Sequence, residues 1–115
     1  MLTIKRIYEN YEPEDGYRVL IDRLWPRGIK KENAHLNLWM KEIAPSTELR
    51  KWFNHEPKNW EGFKTAYQKE LKSNDEVEKL KEIINENKKI TLLFGAKSYQ
   101  FNHALVLQNL LKDHG

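Results

Sequence analysis

The chain has 115 residues, 39% hydrophobic and 11% aromatic, so it has length for one core rather than two and too much bulky apolar material to stay disordered. Zero Cys excludes disulfides, thiolate metal sites and thiol nucleophiles by count. Lys+Arg 20 against Asp+Glu 17 gives +3, a weak bias toward anionic partners that a dedicated nucleic-acid binder exceeds.

Two β-rich segments open the chain, Leu2 to Tyr8 and Tyr17 to Asp22, separated by the turn-forming run Glu12-Pro13-Glu14-Asp15-Gly16. Val19, Leu20 and Ile21 are consecutive and apolar, which fits a central strand buried on both faces. Pro26 and Gly28 then make Arg23 to Gly28 a loop. Leu36 to Ile43 fits both the strand and the helix period; the break at Ala44-Pro45-Ser46 favours a short strand. Ser46 reads as the N-cap of a short helix reaching Phe53, with Glu48 in its first turn. Pro57 marks a first turn, and Trp60, Phe63, Tyr67 and Leu71 recur at the spacing of an amphipathic helix. Ser73 and Glu76 predict a capping box for a further helix ending near Asn87, with Val77, Leu80 and Ile84 on its buried stripe. Ile90 to Phe94 has the make-up of a buried strand, predicted to pair in parallel with the second one. A last helix is expected over Asn102 to Lys112.

Strands separated by helices predict a small α/β domain spanning 1–115, with a mostly parallel sheet and helices packed on its faces. No run reaches the roughly 18 apolar residues of a membrane span, and Met1 to Asn10 lacks a signal peptide's apolar stretch; a cytoplasmic protein without a membrane partner is expected. Ligands in such folds sit beyond the carboxyl ends of the strands. Two segments leave strands there, Asp22 to Gly28 and Gly95 to His103.

In the first segment, Arg23 and Arg27 offer planar donor forks for phosphate or carboxylate, and Trp25 offers a face for stacking. Equally, Trp25 can be core and the arginines can pair with Asp22 or with helix ends. Arg18 to Lys31 holds five basic residues against one acid, Asp22, so the basic bias is concentrated here. In the second segment, Gly95 lets backbone approach a ligand, Lys97 adds a point charge, and the next helix presents amides. The glycine spacing of a Walker motif is missing. His103 in the first turn of that helix, and Asp22, are the candidates for proton transfer; a structural role is the plain alternative for the histidine. Ser46 needs no role beyond its cap, although amides beside it could bind an anion, and no Gly-x-Ser-x-Gly elbow surrounds it. The histidines at 35, 55, 103 and 114 show no close pairing, so no metal site is expected; 103 and 114 stand about 16 Å apart along a helix. Trp52, Phe53 and Trp60 are read as core.

The stretches Val19 to Gly28, Ala44 to Phe53, Thr91 to Lys97 and Asn102-His103-Ala104 resemble the YeaO-like bacterial family of unknown function, over nearly the whole chain. The resemblance implies a small cytoplasmic Rossmann-like domain of three layers. Some relatives carry methyltransferase labels, but this chain has no glycine-rich methyl-donor loop, and the cysteine of broader relatives is absent. The expected function is binding of a phosphate-bearing ligand such as a nucleotide, without a cofactor. Arg23, Trp25, Arg27, Ser46 and Lys97 would hold it, and metal-independent hydrolysis or transfer would be the chemistry if there is any. The rival expectation is a nucleic-acid or protein interaction module without catalysis.

Overall fold

In the computed structural model, which describes residues 1–112, strands β1 (Leu2–Arg6), β2 (Tyr17–Leu20), β3 (Leu38–Trp39) and β4 (Ile90–Phe94) form one sheet ordered β1-β4-β2-β3. Every pairing is parallel. The apolar runs Val19 to Ile21 and Ile90 to Phe94 explain the interior places of β2 and β4, since an inner parallel strand is covered on both faces. Leu92 lies opposite Ile4 on one side and Val19 on the other, fixing the register across the middle of the sheet.

Alternation along the strands divides the sheet into two unequal faces. Leu2, Val19, Ile21, Ile90, Leu92 and Phe94 join the large core, built with α2 (Thr47–Phe53), α3 (Trp60–Lys72), α4 (Glu76–Glu86) and α5 (His103–Leu111). The opposite face carries a small cluster of Ile7, Leu20 and Leu93, packed by Trp25, Ile29, Leu36 and Trp39. The four longer helices thus share one face, and the other is closed by the loop after β2 with the single turn α1 (Lys31–Ala34). No helix among the described residues is long and apolar enough to cross a membrane.

Several local expectations need correction. The strand expected over Leu36 to Ile43 shrinks to Leu38–Trp39. The Met40 amide still donates to Leu20 O at 2.8 Å, but the chain then tightens into a 3-10 turn at Lys41–Ile43 that buries Ile43 completely. Ser73 makes no capping box. It ends α3 by donating its amide to Glu70 and Leu71 carbonyls, and the Asn74 side chain takes the Glu76 amide at 2.9 Å instead. Trp52, expected in the core, is 53% exposed and lies across Gly62, where an added Cβ would meet its ring at 2.8 Å.

Arg18 is no part of a basic surface either, because it is 2% exposed. It pairs with Asp15, and its guanidinium also donates to the carbonyls of Ala34 and His35. Lys5 reaches the same carboxylate at 3.0 Å. Burial alone would raise the Asp15 carboxyl; Lys5, the Glu12 amide and Arg18 outweigh it and hold the group below its ordinary value. The two cations stand on β1 and β2, so the carboxylate ties together strands that β4 separates.

Candidate functional site

The two segments predicted to flank a site do converge. Beyond the carboxyl ends of β2 and β4, the Gly95 amide donates to Asp22 Oδ2 at 2.8 Å. A Cβ at Gly95 would sit 2.8 Å from that oxygen, which is the physical reason for a glycine here. His103 opens α5 under the N-cap Asn102, whose side-chain oxygen accepts the Leu105 amide at 3.1 Å. Its Nε2 lies 2.9 Å from Ile21 O and 3.2 Å from Asp22 Oδ1. Both partners are acceptors when Asp22 is ionised, so Nε2 carries a proton. Because that N–H is directed at the carbonyl, Asp22 Oδ1 is buried without a hydrogen bond of its own and meets only the edge of the ring.

Asp22, Gly95 and His103 form part of the wall of a cavity of about 640 Å³. Arg23, Pro26, Ala44, Pro45 and Thr47 line it as well, together with Phe53, Phe63 and Phe101. Arg50, Lys51 and His55 are lining residues that motif reading did not single out. They arrive through α2 and the turn after it. Asn54 caps α2 with φ 48 and His55 follows with φ 54, two left-handed residues with no glycine to announce them. The described ion pairs leave Arg50 and Lys51 unengaged.

The predicted ligand residues fall into two groups. Arg23 lines the cavity, yet its guanidinium donates to Pro45 O at 3.2 Å and Ala44 O at 2.9 Å, so it braces the corner leading into α2. Ser46 caps α2 by accepting the Leu49 amide, while its own amide and hydroxyl donate to Glu70 at 2.9 and 2.6 Å. The anion held at that helix start is the protein's own carboxylate, not a ligand. Trp25 borders the cavity, donates Nε1–H to Ile29 O at 2.7 Å, and meets Trp39 edge-on at 5.3 Å. Arg27 and Lys97 are exposed and do not line the cavity. Arg27 contributes its carbonyl, which accepts the Tyr8 hydroxyl at 2.9 Å.

Tyr67 supports the floor. It is fully buried, donates to Ile43 O at 2.7 Å and meets the His103 ring edge-on at 6.2 Å. Burial, with the Glu70 charge behind it, pushes this phenol well above its ordinary value, so it is a neutral donor. Among the described residues no group of three or more His, Asp or Glu is placed to hold a metal ion. His35 is stacked on Tyr11 away from the cavity, and His114 lies outside the described residues.

Fold and cavity together define a small parallel α/β protein with a cleft at the carboxyl ends of its inner strands. The chain belongs to the family described as the inactive DUF488-N3 subclade, whose model matches residues 1–114. It is 47% identical over 112 residues to the uncharacterized protein YeaO of Escherichia coli, covering 97% of each chain. It is 37% identical over 110 residues to the uncharacterized protein Rv3073c of Mycobacterium tuberculosis, covering 96% of this chain and 92% of that one. Mb3100c of Mycobacterium bovis matches to the same extent. No solved structure matches the chain.

Proposed function

We propose that the cavity binds a small phosphate-bearing compound of nucleotide size in the cytoplasm, without a metal or cofactor. The observation that carries this reading is the charge of the lining, which holds Arg50 and Lys51, outside the described ion pairs, and Arg23, 3.7 Å from Glu42, against one carboxylate, Asp22. The volume of about 640 Å³ falls within the roughly 300 to 1,000 Å³ typical of small-molecule sites. Phe53, Phe63 and Phe101 supply apolar wall suited to a ring, while Arg50 and Lys51 supply cations free to take phosphate. The family is described as inactive, which agrees with a site that does no turnover. A thermal-shift screen of phosphorylated metabolites tests the proposal directly. A ligand present at a hundredfold excess over its Kd adds about 2.7 kcal/mol to stability. A set containing mononucleotides, sugar phosphates and pyrophosphate that leaves the melting temperature unchanged would refute it.

One observation favours a second reading, a nucleic-acid interaction module. Arg27, Lys30, Lys31 and Lys97 are exposed outside the cavity, Tyr8 in its wall is 43% exposed, and Tyr99 is 44% exposed. Oligonucleotide binding that weakens steeply with salt, together with no response to mononucleotides, would select this reading over the first.

A further inference from the structure

We infer that His103 reads a hydrogen-bond donor on the bound ligand through Nδ1, and that Asp22 and Ile21 set its tautomer for that task. This rests on the cavity being a site for a phosphate-bearing compound and adds what else that compound must carry: a hydroxyl or amino donor in reach of the ring.

The argument starts from the proton on Nε2. A backbone carbonyl has no proton to give, so the 2.9 Å contact with Ile21 O requires an N–H on that nitrogen. The Asp22 carboxylate 3.2 Å from the same nitrogen reinforces the choice, because an ionised oxygen stabilises an N–H and repels a lone pair. A neutral imidazole carries one proton, so Nδ1 is then an acceptor. It makes no hydrogen bond within the described residues, where Asp22 Oδ1 is the one buried side-chain N or O without a partner. The free Nδ1 is therefore open to a small molecule, whereas Asp22 Oδ1 is shut away and cannot meet the ligand. The ring has little freedom to turn, since the side chain is 14% exposed and Tyr67 packs against it.

The consequence is selectivity. A fully ionised phosphate or pyrophosphate can use the cations but has no donor for Nδ1, and a ligand whose donor replaces water there gains affinity. On an adenine nucleotide two groups have this chemistry, the sugar hydroxyls and the exocyclic amine. Asp22 acts through the ring rather than on the ligand and is a positioning residue.

Two measurements test this on the full chain. Nitrogen-15 NMR of the imidazole in alkaline buffer, where the ring is neutral, is expected to show His103 with the proton on Nε2. A spectrum with the proton on Nδ1 overturns the inference without any ligand. Calorimetry then compares adenosine 5′-monophosphate with its 2′,3′-dideoxy analogue and with purine riboside 5′-monophosphate. One of the two analogues is expected to bind about tenfold more weakly, and which one it is separates the hydroxyl from the amine. His103→Gln, whose amide can donate to Ile21 O and still present an acceptor, is expected to keep the preference, and His103→Leu to abolish it. Equal binding of all three compounds overturns the inference and leaves the phosphate site standing. Failure of all three, and of pyrophosphate, removes both.

Discussion

The Gly95 amide and the Asp22 carboxylate, 73 residues apart in sequence, are joined by a hydrogen bond of 2.8 Å that locks the ends of β2 and β4 together at the cavity. An alanine at 95 places its methyl 2.8 Å from that carboxylate oxygen, in a spot with no slack because Asp22 also faces His103. Gly95→Ala is expected to cost about 1–3 kcal/mol in urea denaturation, and to displace Asp22 from the ring. Unchanged stability would mean that the carboxylate is free to move and does not organise the site.

Ser46 gives a contrasting expectation. Its hydroxyl caps α2 and is also held by Glu70, so Ser46→Ala loses a cap and leaves the carboxylate partly unpartnered. A loss of about 1–2 kcal/mol is expected. Pyrophosphate or nucleotide affinity should be unaltered once the protein is folded, because Ser46 does not line the cavity and its hydroxyl is committed to Glu70 and the Leu49 amide. Loss of affinity in a folded Ser46→Ala protein would place the anion at the helix start instead.

Acid stability follows from Asp15. Its carboxyl titrates lower in the folded protein than the 3.8 of an ordinary aspartate, so the pairing stabilises the fold above that pH and is lost as pH falls through the lowered value. Asp15→Asn leaves Lys5 and Arg18 short of a buried partner and is expected to cost about 3 kcal/mol at neutral pH. The gap between wild type and Asp15→Asn should hold down to pH ~4 and close below it, as read from urea midpoints across the acid range. A gap that is the same at pH ~2 as at neutrality would contradict the assignment.

Tyr67 makes a simpler case. Tyr67→Phe removes the donor to Ile43 O in a fully buried place and strands that carbonyl, for an expected loss of about 1–3 kcal/mol by thermal or urea denaturation. No measurable loss would show that water can reach the carbonyl.

The sequence made the inner strands legible because their signal is local: three apolar residues in a row at Val19 to Ile21, and a run of apolar or β-branched residues at Ile90 to Phe94. The helix cap at Ser46 and the Trp60 to Leu71 stripe are local in the same way. The convergence of Asp22 with Gly95 and His103 was readable too, since it follows from parallel strands carrying loops at one end. What stayed hidden depends on tertiary contacts. Nothing in the run around Arg18 tells that its partner is Asp15, so in sequence it is one more charge of the basic stretch. The turn α1 is too short to have a periodic stripe, and the loop containing it covers the second face of the sheet. Arg50, Lys51 and His55 belong to no motif. Arg50 and Lys51 come to the cavity on α2 and His55 on the left-handed turn that ends it, while Arg27 and Lys97, attractive in sequence, stay outside its lining.

The central claim, that an anionic ligand sits between the β2 and β4 ends and the cations of α2, is tested most directly by amide chemical shifts of the labelled protein titrated with adenosine 5′-monophosphate. The account predicts saturable shifts at Gly95, Asn102, His103, Arg50 and Lys51, with Lys30, Lys31 and Lys97 little changed. Shifts confined to those three lysines, or no saturable shift anywhere in the cavity wall, would contradict it.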